Sequence, residues 1–330
     1  MRLFRHYKDF PAECRGSVVV LGNFDGFHRG HQQVIAKAGR LAREMQTTVT
    51  VVTMEPHPRH YFNPDQEDFR LTSFRTKAQL LENFGVDQMV VLPFDQEMAV
   101  MQAQAFVLDV LVGALGALQV VVGYDYCFGR GRGGGITVLK WMGHMEGFGV
   151  TVIDKVMEGD QVYSSSNIRE SLRQGKVRDV ASRLGHWWQV EGHVYQGDQR
   201  GRTIGFPTAN ISMDGYLRPR HGVYAVRVSL PQTERVYDGV ANVGARPTFD
   251  KKDVNLEVFL FDFDDDLYNA LLRVQFIDFI RGEQKFSGID ELKQQIAQDC
   301  IQARAALAMP ENRADVLPIV TIDDEHLLQF

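Results

Sequence analysis

The chain has few cysteines and no long apolar run. Its 330 residues include three cysteines, Cys14, Cys127 and Cys300, which lie far apart without metal-ligand spacing. An odd, scattered set predicts no disulfide framework and is typical of a reducing cytosol. No uninterrupted apolar run approaches about 18 residues and the start of the chain lacks an apolar core, so we expect neither a membrane span nor a signal peptide. The predicted location is the cytoplasm.

The chain also lacks an excess of basic charge. Its formal net charge of -6 argues against a nucleic-acid surface and favours small-molecule chemistry. Because domains run to roughly 100–200 residues, a chain of 330 residues predicts two of them.

Short valine-rich runs alternate with helical periodicity in the first half. This alternation predicts a Rossmann-like α/β domain over residues 1–185, with a parallel, doubly wound sheet. The predicted strands cover 17–21, 48–54, 88–92, 119–122 and 150–153. Ligands of such sheets bind at the carboxyl ends of the strands.

Consecutive strands replace this alternation from residue 187 onwards. They predict a small antiparallel β-barrel domain over residues 186–308, closed by a C-terminal helix. The predicted strands cover 190–195, 223–230, 235–243, 256–263 and 271–280. Residues 309–330 show no clear period and are predicted to form a C-terminal tail.

The segment 22–31, Gly-Asn-Phe-Asp-Gly-Phe-His-Arg-Gly-His, joins the first predicted strand to a long amphipathic helix. Its glycines let the backbone approach a ligand closely, and the N–H groups at a helix start bind anions. His28 and His31 are three residues apart, so both imidazoles face one side of the helix. We interpret the loop as a triphosphate site; a zinc pair or two solvated histidines are the alternatives.

A second phosphate signal is Tyr-Ser-Ser-Ser-Asn-Ile-Arg at residues 163–169. Three hydroxyls lie at a predicted helix start, where Ser166 suits the N-cap. Ser165 and Ser166 can donate to phosphate oxygens, and Arg169 presents a fork of N–H groups one turn along. The alternative is an ordinary cap followed by a surface arginine.

The segment 123–135 contains a competing pattern, the dinucleotide fingerprint Gly-x-Gly-x-x-Gly. Its glycines are Gly129, Gly131 and Gly134. Asp154 follows about 20 residues later, as a ribose-binding acid would. In a true fingerprint the first glycine makes the turn at the strand end, whereas five residues separate Gly129 from Gly123. We interpret the loop instead as one that suits a polyphosphate, with Asp125 and its aromatic neighbours beside an aromatic ring.

Four more side chains are candidates for a site. His57, between two prolines, could line a pocket or fill a gap. Thr208 and Asn210 are oxygen-bearing residues two apart, which can hold a hard cation such as Mg²⁺. Glu257 is predicted on an aromatic strand face, either as an edge-strand charge or as a base near an apolar ligand. That face carries Phe259, Phe261 and Phe263.

Eight segments carry a family resemblance. They are 22–31, Glu-Pro-His-Pro at 55–58, Gly-Tyr-Asp-Tyr-Cys-Phe-Gly at 123–129, Ser-Ser-Ser-Asn-Ile-Arg at 164–169, Gly-Phe-Pro-Thr-Ala-Asn at 205–210, Gly-Val-Tyr-Ala at 222–225, Asn-Val-Gly-Ala-Arg-Pro-Thr at 242–248 and Arg-Gly-Glu-Gln-Lys-Phe at 281–286. Together they resemble, in order, the bacterial bifunctional riboflavin kinase and FMN adenylyltransferase family, also called FAD synthetase. The resemblance covers residues 15 to 307.

The resemblance implies two activities. The barrel would phosphorylate riboflavin to FMN, and a nucleotidyltransferase domain would join FMN to the AMP part of ATP and release pyrophosphate. The expected ligands are riboflavin and ATP as substrates, Mg²⁺ as cofactor, and FMN and FAD as products. No nucleic-acid or membrane partner is expected, and weak homo-oligomerisation stays open.

The resemblance also assigns residue roles. His28 and His31 would stabilise charge on the α-phosphate of ATP, and Glu257 would take the proton of the ribityl 5′-hydroxyl. The other assignments are Gly22, Phe24, Gly30, Ser165, Ser166 and Arg169 for ATP and phosphate, Pro56, His57 and Asp125 for flavin, and Thr208 and Asn210 for magnesium.

The chain departs from the family pattern at three positions. Ser166 replaces the usual threonine and keeps the hydroxyl, Gly135 replaces an acidic or amide residue, and Asn269 replaces a glycine and can adopt a positive φ. Two rival functions are an enzyme with one live activity and a flavin sensor without turnover. Full sets of candidate residues in both halves argue against each.

Overall fold

A computed structural model describes residues 1–158, 161–197, 201, 204–233, 235–247, 252–313, 317 and 320–324. Internal contacts divide the chain into two compact units. The first unit comprises residues 1–66, 77–164 and 319–330, and the second comprises residues 67–76 and 165–318. Parts of the segment 197–210, whose sequence is rich in glycine and arginine, lie outside the described residues.

Six parallel strands form the sheet of the first unit. They are β1 Arg2–Phe4, β2 Val18–Leu21, β3 Val49–Glu55, β4 Gln88–Pro93, β5 Gln119–Gly123 and β6 Gly149–Ile153, in the spatial order β1-β4-β3-β2-β5-β6. The five predicted strands and the doubly wound parallel sheet are confirmed. The prediction missed β1, because three residues at a sheet edge are too few to show a period.

Helices cover this sheet. They are α1 Arg29–Glu44, α2 Pro58–Phe62, α3 Phe74–Phe84, α4 Gln96–Val100, α5 Ala103–Ala105 and α6 Ile136–Glu146, with a π-helix at Phe106–Ala114 after α5. The first of them, α1, buries Val34, Ile35, Ala38 and Ala42, whose helical spacing puts them on one face.

The sheet reverses its strand order beside β2. This strand pairs with β3 on one side and with β5 on the other. Because α1 leads from β2 to β3, and β5 is added on the opposite side later in the chain, a crevice opens at the carboxyl end of β2. The loop 22–31 lies at that point.

The second unit is built on a closed antiparallel barrel, as predicted. Its strands are β9 Gln189–Tyr195, β10 Ala209–Ser212, β11 Gly222–Leu230, β12 Arg235–Pro247, β13 Lys252–Leu260 and β14 Leu271–Gly282, after a short β7 Met157–Glu158 and β8 Gln161–Val162 ribbon in the preceding chain. The prediction missed β10, which has four residues and therefore little alternation to detect. It also extended β13 too far, since the strand ends at Leu260, before Phe261 and Phe263. Asn269 has a φ of 61°, the left-handed conformation expected from its place in the family pattern.

In the described part of the second unit, the barrel is accompanied by the helices α7 Ser165–Arg173, α8 Val177–Leu184 and α9 Ile289–Ala308. The barrel core includes residues of α7 and α8, such as Ile168 and Val180. Leu71 also belongs to this core, and its carbonyl oxygen accepts a hydrogen bond of 2.9 Å from Trp188 Nε1. A barrel domain that begins at residue 186 would lack all these groups; that boundary stays a prediction.

The described end of the C-terminal tail packs into the first unit. Ile322 is 8% exposed and fills the space left by the missing side chains of Gly39 and Gly85. Its N–H donates to the carbonyl oxygen of Phe84 at 2.6 Å, and Asp323 lies 2.5 Å from Arg43. This contact could not be predicted, because one isoleucine in an aperiodic segment carries no pattern.

Candidate functional site

The loop 22–31 places His28 at the N-cap of α1. The Nδ1 atom of His28 accepts a hydrogen bond of 3.3 Å from the backbone N–H of His31. A ring nitrogen that accepts from an N–H carries no proton of its own, so Nε2 is the protonated nitrogen of the neutral ring. His28 therefore offers an N–H donor at the start of a helix whose first backbone N–H groups also attract anions.

Close packing holds the two imidazoles together. The rings of His28 and His31 stack with 3.7 Å between centroids and 17° between planes. A Cβ at Gly30 would lie 3.1 Å from His28 Nδ1, and one at Gly22 would lie 2.8 Å from the ring of Phe24. Phe24 is buried, and its ring packs edge-on against the imidazole of His31 with 5.2 Å between the ring centroids. Phe24 therefore helps to hold His31 in place.

The zinc alternative for this pair gains no support. Among the described residues, no group of three His, Cys, Asp or Glu side chains could hold a metal ion. A structural zinc site needs about four such ligands.

Sequence reasoning missed a buried lysine beside the loop. Lys77 of α3 is 3% exposed, and its Nζ lies 2.9 Å from Glu55 Oε1 and 3.4 Å from Thr53 Oγ1. The Thr53 hydroxyl donates to the carbonyl oxygen of Asn23 at 3.3 Å. This chain of contacts ties the end of β3 to the loop, and no sequence spacing could have revealed it.

A cavity of about 320 Å³ opens at the same edge of the sheet. Gly22, Asn23 and His57 line it together with methionine and aromatic side chains. His57 also caps α2, since its Nδ1 accepts the N–H of Arg59 at 3.1 Å. Pro56 and Asp125 are exposed and are not among the described residues that line the cavity.

The glycine loop after β5 does not form a dinucleotide fingerprint. The strand ends at Gly123, and Gly129 lies six positions later, where a Cβ would clash with the backbone of Ala103 at 2.7 Å. Phe128 and Gly134 form a β-bridge within the loop. Gly129 and Gly134 therefore allow close packing, since a Cβ at Gly134 would lie 2.7 Å from the Cβ of Ala103. The loop also brings Tyr126 and Arg132 to the cavity. Burial raises the pKa of the Tyr126 phenol, the neighbouring Cys127 raises it further, and the phenol therefore stays neutral.

The serine cluster lies at the start of α7. The helix begins at Ser165, so Ser166 occupies its first turn; the predicted N-cap at Ser166 is wrong by at least one residue. Ser166 is exposed and Ser165 is half-buried. Arg169 is 8% exposed, and its Nε donates to the carbonyl oxygen of Phe69 at 2.8 Å, so Arg169 is not the surface arginine of the alternative interpretation.

A larger cavity of about 610 Å³ lies between the outer face of the barrel and α9. Glu257 of β13 lines it and stands directly opposite two asparagines, Asn210 of β10 and Asn242 of β12. Opposite residues in antiparallel strands share one face, with Cβ atoms about 5 Å apart. The three polar side chains therefore form a row across three strands, beside the apolar ring of Phe259.

Thr208 connects this cavity to a neighbouring one. It lines both the 610 Å³ cavity and a second cavity of about 440 Å³, which Asp264, Asp265 and Tyr268 also line. Thr208 and Asn210 bracket Ala209 at the start of β10, and Asn210 is 7% exposed. The structure thus places Thr208 at the junction of the two cavities and Glu257 in the wall of the larger one. Asn210 pairs with Glu257 across the strands but is not among the described residues that line either cavity.

Sequence reasoning missed the contribution of α9 to this site. The sequence places Leu292 and Ile296 on the apolar stripe of a closing helix, whereas both line the 610 Å³ cavity. Further along the same helix, Ala303 and Leu307 are buried in the core against the barrel. A helical stripe reports which face is apolar, and it cannot distinguish a core from a cavity wall.

Both halves of the chain match known families. Residues 10–167 match the FAD synthetase family and residues 184–307 match the riboflavin kinase family. The bifunctional riboflavin kinase/FMN adenylyltransferase of Escherichia coli strain K12 is 40% identical over 305 residues, which cover 92% of this chain and 97% of the relative.

The chain belongs to the bifunctional riboflavin kinase/FMN adenylyltransferase family. The Bacillus subtilis member is 38% identical over 290 residues, covering 86% of this chain and 90% of the relative. A crystal structure described as a macrolide-efflux protein from Streptococcus pneumoniae matches with a TM-score of 0.80 and 32% identity, over 90% of this chain and 96% of that chain.

Membership in the bifunctional riboflavin kinase/FMN adenylyltransferase family fixes the chemistry of the chain. It is an enzyme of flavin cofactor biosynthesis, which phosphorylates riboflavin to FMN and adenylylates FMN to FAD, with ATP as co-substrate. Within the described residues, no helix is both long and apolar enough to cross a membrane.

Proposed function

We propose that each unit carries one of the two reactions at the site described above. The first unit adenylylates FMN at the loop 22–31, and the second phosphorylates riboflavin beside Glu257. The observation that supports this division is that each unit holds its own cavity next to its own polar cluster.

In the first unit, His28 and His31 bind the α-phosphate of ATP. The Nε2–H of His28 and the N–H groups at the start of α1 are fixed in place before the substrate arrives, because the imidazole is already held by its Nδ1 bond and by stacking. Donors that need no reorganisation stabilise the negative charge that builds up as the FMN phosphate attacks. Gly22 and Gly30 contribute because they carry no Cβ. Gly22 leaves room for the ring of Phe24, and Gly30 leaves room for the imidazole of His28.

The 320 Å³ cavity takes the flavin ring. Methionine and aromatic side chains suit a flat, polarisable ring system, and His57, Arg59 and Arg132 supply polar groups at its wall. Arginine forks suit the phosphate of FMN. Pro56 and Asp125 do not line the cavity themselves. They precede the lining residues His57 and Tyr126, and we propose that they help to position these two side chains.

The assignment of the leaving pyrophosphate to Ser165, Ser166 and Arg169, which belong to the second unit, stays a prediction. The hydroxyls of Ser165 and Ser166 are accessible at the start of α7, beside the first N–H groups of a helix. Arg169 is anchored through Nε to Phe69, which orients its guanidinium.

In the barrel, Glu257 acts as general base towards the ribityl hydroxyl of riboflavin. The apolar walls of the 610 Å³ cavity suit the flavin ring, and the adjoining 440 Å³ cavity takes ATP. Thr208 stands where the two meet. The reacting hydroxyl and the γ-phosphate would therefore meet next to the carboxylate that accepts the proton.

The residues present fit a magnesium ion carried by ATP. The Thr208 hydroxyl and the Asn210 amide oxygen are hard donors two positions apart, and magnesium is usually held by one or two protein oxygens together with phosphates and waters. When bound, the ion neutralises charge on the transferring phosphoryl group. A cytoplasmic location is part of the proposal as well, since all three cysteines are free thiols.

Selective variants test this division. His28→Ala or His31→Ala should reduce FAD formation from FMN by roughly 10²–10³-fold, because a positioned electrostatic donor is lost, while FMN formation persists. Glu257→Gln should do the reverse and reduce FMN formation by roughly 10²–10⁴-fold with riboflavin binding retained. Chromatographic separation of the flavins measures both rates. A histidine variant with normal FAD formation, or a Glu257→Gln enzyme with normal FMN formation, would contradict the assignment. A wild-type protein that binds flavin but does not convert it would indicate a flavin sensor.

A further inference from the structure

An ion pair is built into the wall of the 610 Å³ cavity. Arg281, at the end of β14, donates through Nε to Asp299 Oδ1 at 2.8 Å and through Nη2 to Asp299 Oδ2 at 2.7 Å. Asp299 lies on α9, is 2% exposed, and also accepts a hydrogen bond of 2.9 Å from Gln295. Both members of the pair line the cavity.

The pair connects two walls of that cavity, which come from separate elements of the fold. Leu292 and Ile296 of α9 form one wall, and Glu283 to Phe286, which follow β14, form another. The guanidinium of Arg281 donates to the neighbouring carbonyl of Gly282 at 2.9 Å and lies 5.7 Å from the ring centroid of Phe286. A bidentate pair fixes direction as well as distance. Asp299 therefore sets the orientation of the Arg281 guanidinium, which in turn contacts Gly282 and Phe286 of the second wall.

A second arginine–carboxylate pair on the same helix serves as a comparison. Arg304 of α9 binds Asp262 with two hydrogen bonds of 3.0 and 3.1 Å. Its side chains are 52% and 79% exposed, and neither residue lines the cavity. A pair that only attached α9 to the barrel could lie at such an exposed position. The Arg281–Asp299 pair lies instead at the cavity, with side chains that are 16% and 3% exposed, where taking charges out of water needs compensating bonds.

We propose that Asp299 is a positioning residue for riboflavin phosphorylation, which acts through Arg281 to hold the cavity wall against the flavin ring. The inference rests on the proposed function of this cavity as the riboflavin site. It assigns Asp299 no contact with the reacting atoms. The role therefore predicts a change in the affinity for riboflavin rather than in the handling of ATP.

The test is steady-state kinetics on the full chain with two variants and their combination. Asp299→Asn keeps the shape and removes the charge, and Arg281→Lys keeps the charge and removes the fork. Each should lower kcat/KM for riboflavin on the order of 10²-fold, mainly through KM, because a wall displaced by about 1 Å misplaces the substrate. The KM for ATP and the formation of FAD from FMN should not change. In the double variant, Asp299→Asn should add little to Arg281→Lys, because both break one interaction.

Unchanged KM values for riboflavin, or full additivity in the double variant, would overturn the proposal. Should Asp299→Asn fail to fold, Arg281→Lys decides alone, and a KM for riboflavin within about twofold of the wild type would then refute the role. Asp262→Asn is the matched control and should leave this KM unchanged; an equal rise there would show a merely structural effect of attaching α9.

One more variant separates this inference from the function on which it rests. Ile296→Arg alters only a side chain of the cavity wall and should raise the KM for riboflavin if the cavity is the flavin site. An effect of Ile296→Arg without an effect of the pair variants refutes the role of Asp299 alone. No effect in any of them refutes the assignment of the cavity itself.

Discussion

Replacing Gly30 with alanine tests how tightly the loop 22–31 controls His28. Gly30 lies in the first turn of α1, and a Cβ there would lie 3.1 Å from Nδ1 and 3.2 Å from Cε1 of His28, with the carbonyl oxygen of Tyr163 at 3.4 Å. The imidazole has little room to retreat, since it also stacks on His31 and accepts its N–H. We therefore expect the ring to shift by about a few tenths of an ångström.

A shift of that size is smaller than the misplacement of about 1 Å that costs on the order of 10²-fold in rate, so FAD formation from FMN should fall about tenfold. Stability should change little, because the preference for alanine over glycine in a helix, up to about 1 kcal/mol, offsets the cost of the tight contact with His28. The assay is the initial rate of FAD formation, with FMN formation from riboflavin and thermal melting of the same preparation as controls. A Gly30→Ala enzyme with normal FAD formation, beside an inactive His28→Ala enzyme, would refute the reasoning that this glycine keeps His28 in place.

Three further outcomes follow from the structure. Ile322→Ala should lower the melting temperature of the first unit, since truncating a buried isoleucine costs about 2–5 kcal/mol, and heating should abolish FAD formation before FMN formation; equal loss of both would contradict the docking of the tail. Iodoacetamide at about pH 8 should modify the exposed Cys127 unless FMN is bound, and Cys300 only slowly, because burial raises the pKa of its thiol to about 11. Peptide mass spectrometry measures both, and labelling of Cys127 that ignores FMN would argue against a flavin in the first cavity. Thr208→Ala should raise the Mg²⁺ concentration needed for FMN formation but not for FAD formation in a metal titration; an unchanged requirement would remove Thr208 from the metal site.

The architecture could be predicted because its signals are local and repeated. Buried parallel strands leave continuous valine runs such as those of β2 and β5, and the antiparallel barrel leaves consecutive strands without helices between them. The loop 22–31 was visible for the same reason, since the strand, the glycines, the histidine pair and the helix start all lie within one short stretch of chain.

What could not be predicted depends on contacts between distant residues. Asn210, Glu257 and Asn242 form a row because of the register in which β10, β13 and β12 pair. No single segment of the sequence determines that register. The pairing of Lys77 with Glu55 depends on how α3 packs against the end of β3. Side-chain exposure was equally hidden. Pro56 and Asp125 belong to family motifs yet lie on the surface, and motif membership alone does not say which residues of a loop face its cavity.

The most direct test of two separate reactions on one chain is a mixing experiment. Full-length His28→Ala and Glu257→Gln enzymes are incubated with riboflavin, ATP and Mg²⁺, singly and together, and the flavins are separated by chromatography. Alone, the His28→Ala enzyme should stop at FMN and the Glu257→Gln enzyme should leave riboflavin unchanged, while the mixture should make FAD from FMN that one protein releases and the other uses. FAD from riboflavin with either variant alone, or none from the mixture, would contradict the account.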